Sequence, residues 1–174
     1  MVSDYLCQGT LQELIAPSSL IFFNDCWEEV GTKITLQSVI SRITEIQLEV
    51  LSGGTSPSNF SIAQRMSWAA HRETTRVEDV AYCLMGLFGV NMPMLYGEGD
   101  RAFIRLQEEI MRISDDDSIF AWKAPFGMGS DGGLLAHSPS AFEGLGVSSA
   151  AYMKIPSRSL LPTKELGSKC VLGS

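Results

Sequence analysis

Apolar residues spaced three and four positions apart run through the middle of this 174-residue chain. The spacing places them on one face of an α-helix, so the chain must bury several helical faces against one another. Four segments follow it: residues 35–46, 61–70, 77–88 and 100–113. The inward positions of the last two predict a helical core of Val80, Leu84, Phe88, Phe103, Leu106 and Ile110.

Start and stop signals mark the ends of these helices. Ser61 can cap the second helix with its hydroxyl. Thr75 and Glu78 have the spacing of a capping box and predict the start of the third, which Gly89 is expected to end.

The amino-terminal part has a different pattern. Thr10 and Glu13 also have capping-box spacing and predict a short helix that ends before Pro17. Residues 19–23 are an apolar run typical of a buried strand, and residues 118–122 predict a second strand. The expected fold class is therefore mainly α with a few short strands, or α+β.

Charge and cysteine usage argue against several classes of partner. The chain carries 13 Lys and Arg against 20 Asp and Glu, a formal net charge of -7, so it lacks the positive field that attracts nucleic acid or an anionic membrane. No apolar run approaches the length that crosses a bilayer. The scattered cysteines lack the spacing of a zinc or redox site. We expect a cytoplasmic protein without metal, cofactor, nucleic-acid partner or membrane partner.

Three motifs suggest chemistry, and each has a structural alternative that we favour. Residues 97–102 read G-x-G-x-x-A before a helix, but Glu98 and Asp100 would repel a phosphate, which favours a Gly-rich turn at a helix start. Cys83 with His71 resembles a thiolate and its base, yet Cys83 lies on or beside an apolar helix face. Residues 115–117 are acidic but lack the spacing of a calcium loop, which favours a solvated break.

Residues 72–79 form the most densely charged segment and flank two apolar helices. They form either a partner-binding corner or a salt-bridged turn between helices. The candidate partner-binding residues are Arg72, Glu73, Arg76 and, from the later acidic turn, Glu98.

Several long strings resemble one fungal family. Residues 10–17, Thr-Leu-Gln-Glu-Leu-Ile-Ala-Pro, resemble the last signature motif of the heterokaryon incompatibility (HET) domain. Residues 66–79 and 92–99 resemble the segment directly after that domain in vegetative incompatibility proteins, as do 102–110 and 118–122 and, more loosely, 138–142. Strings this long are more specific than a single short motif.

The resemblance implies a domain organisation. Residues 1–33 would be a remnant of the carboxyl-terminal end of a TIR-like α/β HET domain, whose upstream motifs are absent here. Residues 34–125 would be the helical domain that follows it. Residues 126–174, rich in Gly, Ser and Pro and without sustained periodicity, are expected to be a poorly ordered tail.

The resemblance also implies a role in fungal self/non-self recognition and regulated cell death. We expect a non-catalytic accessory or regulatory module that acts through protein contacts, either with the missing amino-terminal half of the HET domain or by self-association. The alternatives are a residual TIR-like NAD hydrolase, with Glu13 as its catalytic carboxylate, and a non-functional truncated gene product. Glu13 also has the simpler interpretation of a capping-box partner.

A fragment of this kind should expose surface that its missing neighbours would cover. We expect Leu11, Leu14, Ile21 and Phe23 to be open to solvent, together with an unpaired strand edge.

The isolated chain is predicted not to hydrolyse NAD, because most strands that would form a nucleotide crevice are absent from its sequence. Nicotinamide release by the purified protein is the measurement. Turnover that disappears in the Glu13→Ala variant would contradict the prediction and favour the hydrolase hypothesis. The variant must keep a native-like circular dichroism spectrum, because losing a capping box alone can cost about 1 kcal/mol.

Overall fold

The computed structural model describes residues 11–123 and 133–146. Within these ranges the chain forms mostly short helices and one two-stranded antiparallel sheet. The α-helices are α1 (Leu11–Ile15), α2 (Gln37–Thr44), α3 (Leu48–Leu51), α4 (Ile62–Ser67), α5 (Val77–Tyr82), α6 (Met85–Phe88) and α7 (Arg101–Ile113). The strands are β1 (Ile21–Phe23) and β2 (Glu29–Thr32), and the 3-10 helices are Pro57–Asn59, Asp117–Phe120 and Pro139–Phe142. The predicted fold class, mainly α with a few short strands, is confirmed.

A single hydrophobic cluster extends from α1 to the last 3-10 helix. Five of the six predicted core residues are buried in it, namely Leu84, Phe88, Phe103, Leu106 and Ile110. Val80 is only half-buried. Leu11 and Leu14 are buried in the same cluster, so the expectation that they face solvent is wrong. The predicted boundary between residues 33 and 34 therefore does not divide the core.

The start of α4 is held by side chains from two places in the sequence. Ser61 and Gln64 form a local capping box, which confirms Ser61 as the cap. The N–H of Ile62 donates to Asp116 Oδ2 at 2.9 Å, and the N–H of Ala63 donates to Ser118 Oγ at 3.1 Å. Asp116 and Ser118 lie at the start of a 3-10 helix over residues 117–120, so the predicted strand at 118–122 is wrong.

The hydrogen bonds that Asp116 accepts also favour its charged form. Burial opposes ionisation, but hydrogen bonds from the backbone of Ile62 and Ser118, together with the positive charge of Arg65, lower the pKa of Asp116. Among the described residues, no group of three acidic, His or Cys side chains could hold a metal ion. The acidic run 115–117 thus contributes a helix cap.

The predicted helix 77–88 is divided into α5 and α6. The N–H of Leu84 bonds to the carbonyl of Ala81, a tighter turn than an α-helix makes. Gly89 ends α6 in the left-handed conformation at φ 67°, as predicted. The predicted capping box of Thr75 and Glu78 is wrong, because the residue before α5 is Arg76, without a side-chain cap, and Glu78 binds elsewhere.

The sheet is a hairpin of β1 and β2, with Ile21 opposite Thr32 and Phe22 opposite Gly31. The predicted buried strand is wrong, because successive side chains of a strand point to opposite faces and only one face lies on the core. Phe22 packs against the core, whereas Ile21 and Phe23 are 47% and 41% exposed. Their predicted exposure is confirmed.

A buried lysine joins this hairpin to α1. Lys33 is 2% exposed, and its Nζ donates to the carbonyls of Ile15 at 3.0 Å and Pro17 at 2.9 Å. These carbonyls lie at and just beyond the end of α1, where no turn of helix follows to pair with them. Burial lowers the pKa of Lys33. Thr10, the other member of the predicted capping box at α1, lies outside the described residues.

Residues 133–146 pack on the core, so the expectation of a poorly ordered tail does not hold for them. Gln107, buried on α7, donates from Nε2 to the carbonyl of Ala136 at 2.7 Å and accepts from the N–H of Ala136 at 3.1 Å. Phe142 is 0% exposed beside α4. Residues 126–132 and 147–174 of the predicted tail lie outside the described residues.

The Phe142→Ala variant is predicted to lose about 3 to 5 kcal/mol of unfolding free energy, because it leaves a cavity in the core. Leu134→Ala, in the same segment but with an exposed side chain, should change stability by less than about 0.5 kcal/mol. Urea unfolding of both variants measures this. Equal, small losses would show that residues 133–146 are not part of the cooperative fold.

Candidate interaction surface

The loop between α6 and α7 is bound to α5 through two glycine amides. Gly97 and Gly99 have φ values of 100° and 59°, a left-handed conformation that suits glycine. Their N–H groups converge on Glu78 Oε1 at 2.7 and 3.1 Å. The turn that resembles a phosphate-binding motif therefore holds the chain's own carboxylate.

Backbone hydrogen bonds keep Glu78 ionised. Bonds from its own amide and from those of Gly99 and Gly97 lower its pKa, although burial acts in the opposite direction. The side chain lies in a mostly buried position at the start of α5. The negative charge of Glu78 thus helps to fix the loop in one conformation.

Tyr82 on α5 provides a second attachment. Its hydroxyl accepts from the N–H of Leu95 at 2.7 Å, and its proton faces the carbonyl of Leu95 at 2.9 Å and Glu98 Oε1 at 3.0 Å. Burial, and then the hydrogen bond to Glu98, raise the pKa of Tyr82. The phenol therefore remains protonated and continues to bridge α5 and the loop.

Glu98 and Arg105 close the network on α7. The carboxylate of Glu98 accepts from Arg105 Nη1, and Arg105 Nη2 donates to the carbonyl of Pro93 at 2.6 Å. Both side chains are largely covered. Glu98, a predicted partner-binding residue, thus contacts Tyr82 on α5 and Arg105 on α7 in this structure.

Tyr96 extends from the outer side of the same loop. Its hydroxyl donates to Asp79 Oδ1 at 3.0 Å, and its ring meets that of Tyr82 edge to face at 5.6 Å. The guanidinium carbon of Arg76 lies 4.9 Å from the centre of the Tyr96 ring, within the range of a cation–π contact. Arg76 is exposed, and it contacts an aromatic ring of its own chain. Its role as a partner-binding residue stays a prediction.

Four exposed apolar residues lie around this contact, and we call them the Tyr96 surface: Val77, Met94, Leu95 and Tyr96. The first belongs to α5, and the others belong to the loop that α5 holds. Because the backbone of the loop is already fixed, it would lose little conformational freedom if a partner covered these side chains. The Tyr96 surface is therefore the candidate interaction surface.

The structure also shows where the other predicted site residues lie. Arg72 is half-buried and Glu73 is exposed, both just before α5. Glu13 is exposed on α1. Burial, and then the charge of Asp79, raise the pKa of the Cys83 thiol, which is the opposite of what a reactive thiolate requires.

His71 has a contact unrelated to Cys83. Its Nε2 lies 3.8 Å from a carboxylate oxygen of Glu143 in the last 3-10 helix region. This places His71 near the segment that packs on α4.

Sequence reasoning missed Met94, Leu95 and Tyr96 as surface residues. Apolar residues in an acidic, Gly-rich loop resemble ordinary core residues in a sequence. The available signal was their position between Pro93 and Gly97, which bound a loop and not a helix.

Comparison with known proteins finds, first, a domain family that matches part of the chain. Residues 101–161 match the domain of unknown function DUF8212. Over 114 residues, 64% of this chain, the sequence is 46% identical to the vegetative incompatibility protein HET-E-1 of Podospora anserina. The matched segment is 8% of the length of that protein. No solved structure matches the chain.

These similarities bear out part of the family resemblance. The similarity to a vegetative incompatibility protein is confirmed, whereas the assignment of residues 1–33 to a HET domain stays a prediction. Among the described residues, no helix has both the length and the apolar character to cross a membrane.

Glu78 is predicted to make stability depend on pH. Its pKa is lower in the folded chain than in the unfolded chain, so its stabilising effect is present above the unfolded pKa and is lost as the pH falls through the folded value. Glu78→Gln should therefore be less stable than the wild type at neutral pH, and the difference should shrink below about pH 4.

Urea unfolding at several pH values measures this difference. Glu108→Gln, at an exposed position on α7, controls for the removal of one negative charge. A difference between Glu78→Gln and wild type that stays constant through the acid range would contradict the prediction.

Proposed function

We propose that this chain is an accessory or regulatory module of a HET-type vegetative incompatibility protein. It acts through protein contacts in fungal self/non-self recognition and the regulated cell death that follows. The similarity to HET-E-1 supports the biological setting. Because the matched segment is a small part of that protein, the module acts within a larger assembly.

The observation that carries the protein-contact role is the Tyr96 surface. Its apolar side chains are exposed, while Glu78, Tyr82 and Glu98 hold the backbone beneath them. Aromatic and large apolar residues on fixed backbone are the usual energetic centre of an interface. The surface would bind the amino-terminal half of the HET domain.

The remaining parts of the proposal are negative. We further propose that the chain does not catalyse a reaction. The exposure of Glu13 on a five-residue helix argues against the alternative in which this carboxylate is catalytic. We also propose a cytoplasmic location and no nucleic-acid or membrane partner. The formal net charge of -7 supports the absence of these partners, because it provides no positive field to attract phosphate or anionic lipid.

The test is co-precipitation of this chain with a HET amino-terminal half expressed in the same cells. Leu95→Glu places a charge in the Tyr96 surface and is expected to weaken capture about tenfold or more, because the carboxylate would be desolvated in the interface. Leu134→Glu adds the same charge at another exposed leucine and should leave capture unchanged. Equal capture by both variants would reject the Tyr96 surface as the contact.

A further inference from the structure

The two edges of the hairpin differ in how well they are protected. β2 begins with Glu29, directly after Glu28, and the ladder shifts by one residue beside Phe23. Charges and bulges of this kind discourage another strand from adding to an edge. Residues 18–24, which contain β1, carry no charged side chain. The outer edge of β1 is therefore the one open to pairing.

Hydrogen-bond alternation identifies the backbone groups at that edge. The N–H of Lys33 bonds to the carbonyl of Leu20 at 2.8 Å, so Leu20 and Phe22 direct their groups toward β2. Across the irregularity, the N–H of Asn24 bonds to the carbonyl of Glu28 at 2.9 Å. The N–H and C=O groups of Ile21 and Phe23 consequently point away from β2. Among residues 11–123 and 133–146, the sheet has two strands and no third strand occupies that edge.

Ile21 and Phe23 also carry the exposed side chains of β1. A tryptophan enlarges their apolar face, since Trp27 lies 6.1 Å from the ring of Phe23 and is 83% exposed. Its backbone is in the left-handed region, at φ 59°, which is uncommon for a large residue. Asn24 Oδ1 holds this turn by accepting from the N–H groups of Cys26 and Glu28.

This edge is complementary to itself. If two copies pair antiparallel about Phe22, Ile21 of one copy lies opposite Phe23 of the other, and the reverse pair forms by symmetry. Both residues direct their N–H and C=O groups to the edge, so each pair exchanges two hydrogen bonds. An aromatic side chain then lies beside a β-branched one, a favourable cross-strand pair. No like charges meet.

We propose that the occupant of the β1 edge is the β1 strand of a second copy of this chain, which forms a four-stranded sheet across a twofold axis. The proposal rests on the proposed function in that both assign the chain a role through protein contacts. It concerns a surface other than the Tyr96 surface. Because the contact is small, we expect dissociation constants in the micromolar range.

The test is sedimentation of the full chain over tens to hundreds of micromolar. Ile21→Pro removes an N–H that the hairpin does not use, which an edge strand tolerates, but removes two of the four bonds between copies. It should weaken dimerisation about tenfold or more. Glu29→Pro, on the opposite edge of the hairpin, is the matched control and should leave the dimer intact.

Amide hydrogen exchange of the wild-type chain gives a second measurement that needs no variant. Exchange at Ile21 and Phe23 should slow as concentration rises, whereas exchange at Phe22, which faces Gly31 within the hairpin, should not depend on concentration. Slowing confined to Ile21 and Phe23 supports the proposal even if Ile21→Pro fails to fold.

Two results would overturn the proposal. They are a wild-type chain that stays monomeric and a dimer that Ile21→Pro leaves intact. If a monomeric chain loses binding of the HET amino-terminal half in the Ile21→Pro variant, the β1 edge belongs to that partner and not to a second copy. Loss of HET capture in Leu95→Glu with an intact dimer keeps the two surfaces distinct.

Discussion

Short helices cannot satisfy their own backbone, and this constraint organises the described chain. Each helix leaves about four N–H and four C=O groups without partners inside the helix, and six of the seven described α-helices have eight residues or fewer. Side chains from distant positions supply the missing partners. Asp116 and Ser118 bind the start of α4, and Lys33 binds the end of α1. Because helices this short are marginal alone, these bonds and the shared core hold them together.

The same constraint explains which features the sequence could predict. The cap at Ser61 and the end at Gly89 are local, and both were predictable because the partner groups lie within a few residues. Glu78 was wrongly assigned to Thr75 because the competing donors, at Gly97 and Gly99, are about twenty residues away. A carboxylate binds the amides that folding brings to it, and a sequence read locally does not contain that information.

The errors in the strands and the surface have a related cause. The pattern of apolar residues in a sequence indicates which of them can be buried, but it does not indicate which neighbour will cover each one. Ile21 and Phe23 are residue types that are common in buried strands, yet only one face of β1 packs against the core. Charge density marked the segment that contains Arg76 as a candidate site, whereas Tyr96, whose ring Arg76 contacts, has no charge to mark it. Apolar residues held outward by polar contacts beneath them become visible only in three dimensions.

The limits of the matched domain do not coincide with those of the physical unit. The match to DUF8212 begins at Arg101, the first residue of α7, but Glu98, just before it, pairs with Arg105 within it. α7 also packs against α5, so a chain that began at residue 101 would leave Arg105 and the apolar face of α7 without their neighbours. The similarity to HET-E-1 covers 114 residues and therefore extends beyond residues 101–161. The unit to which a function should be assigned thus includes the helices before α7, together with the loop that presents Tyr96.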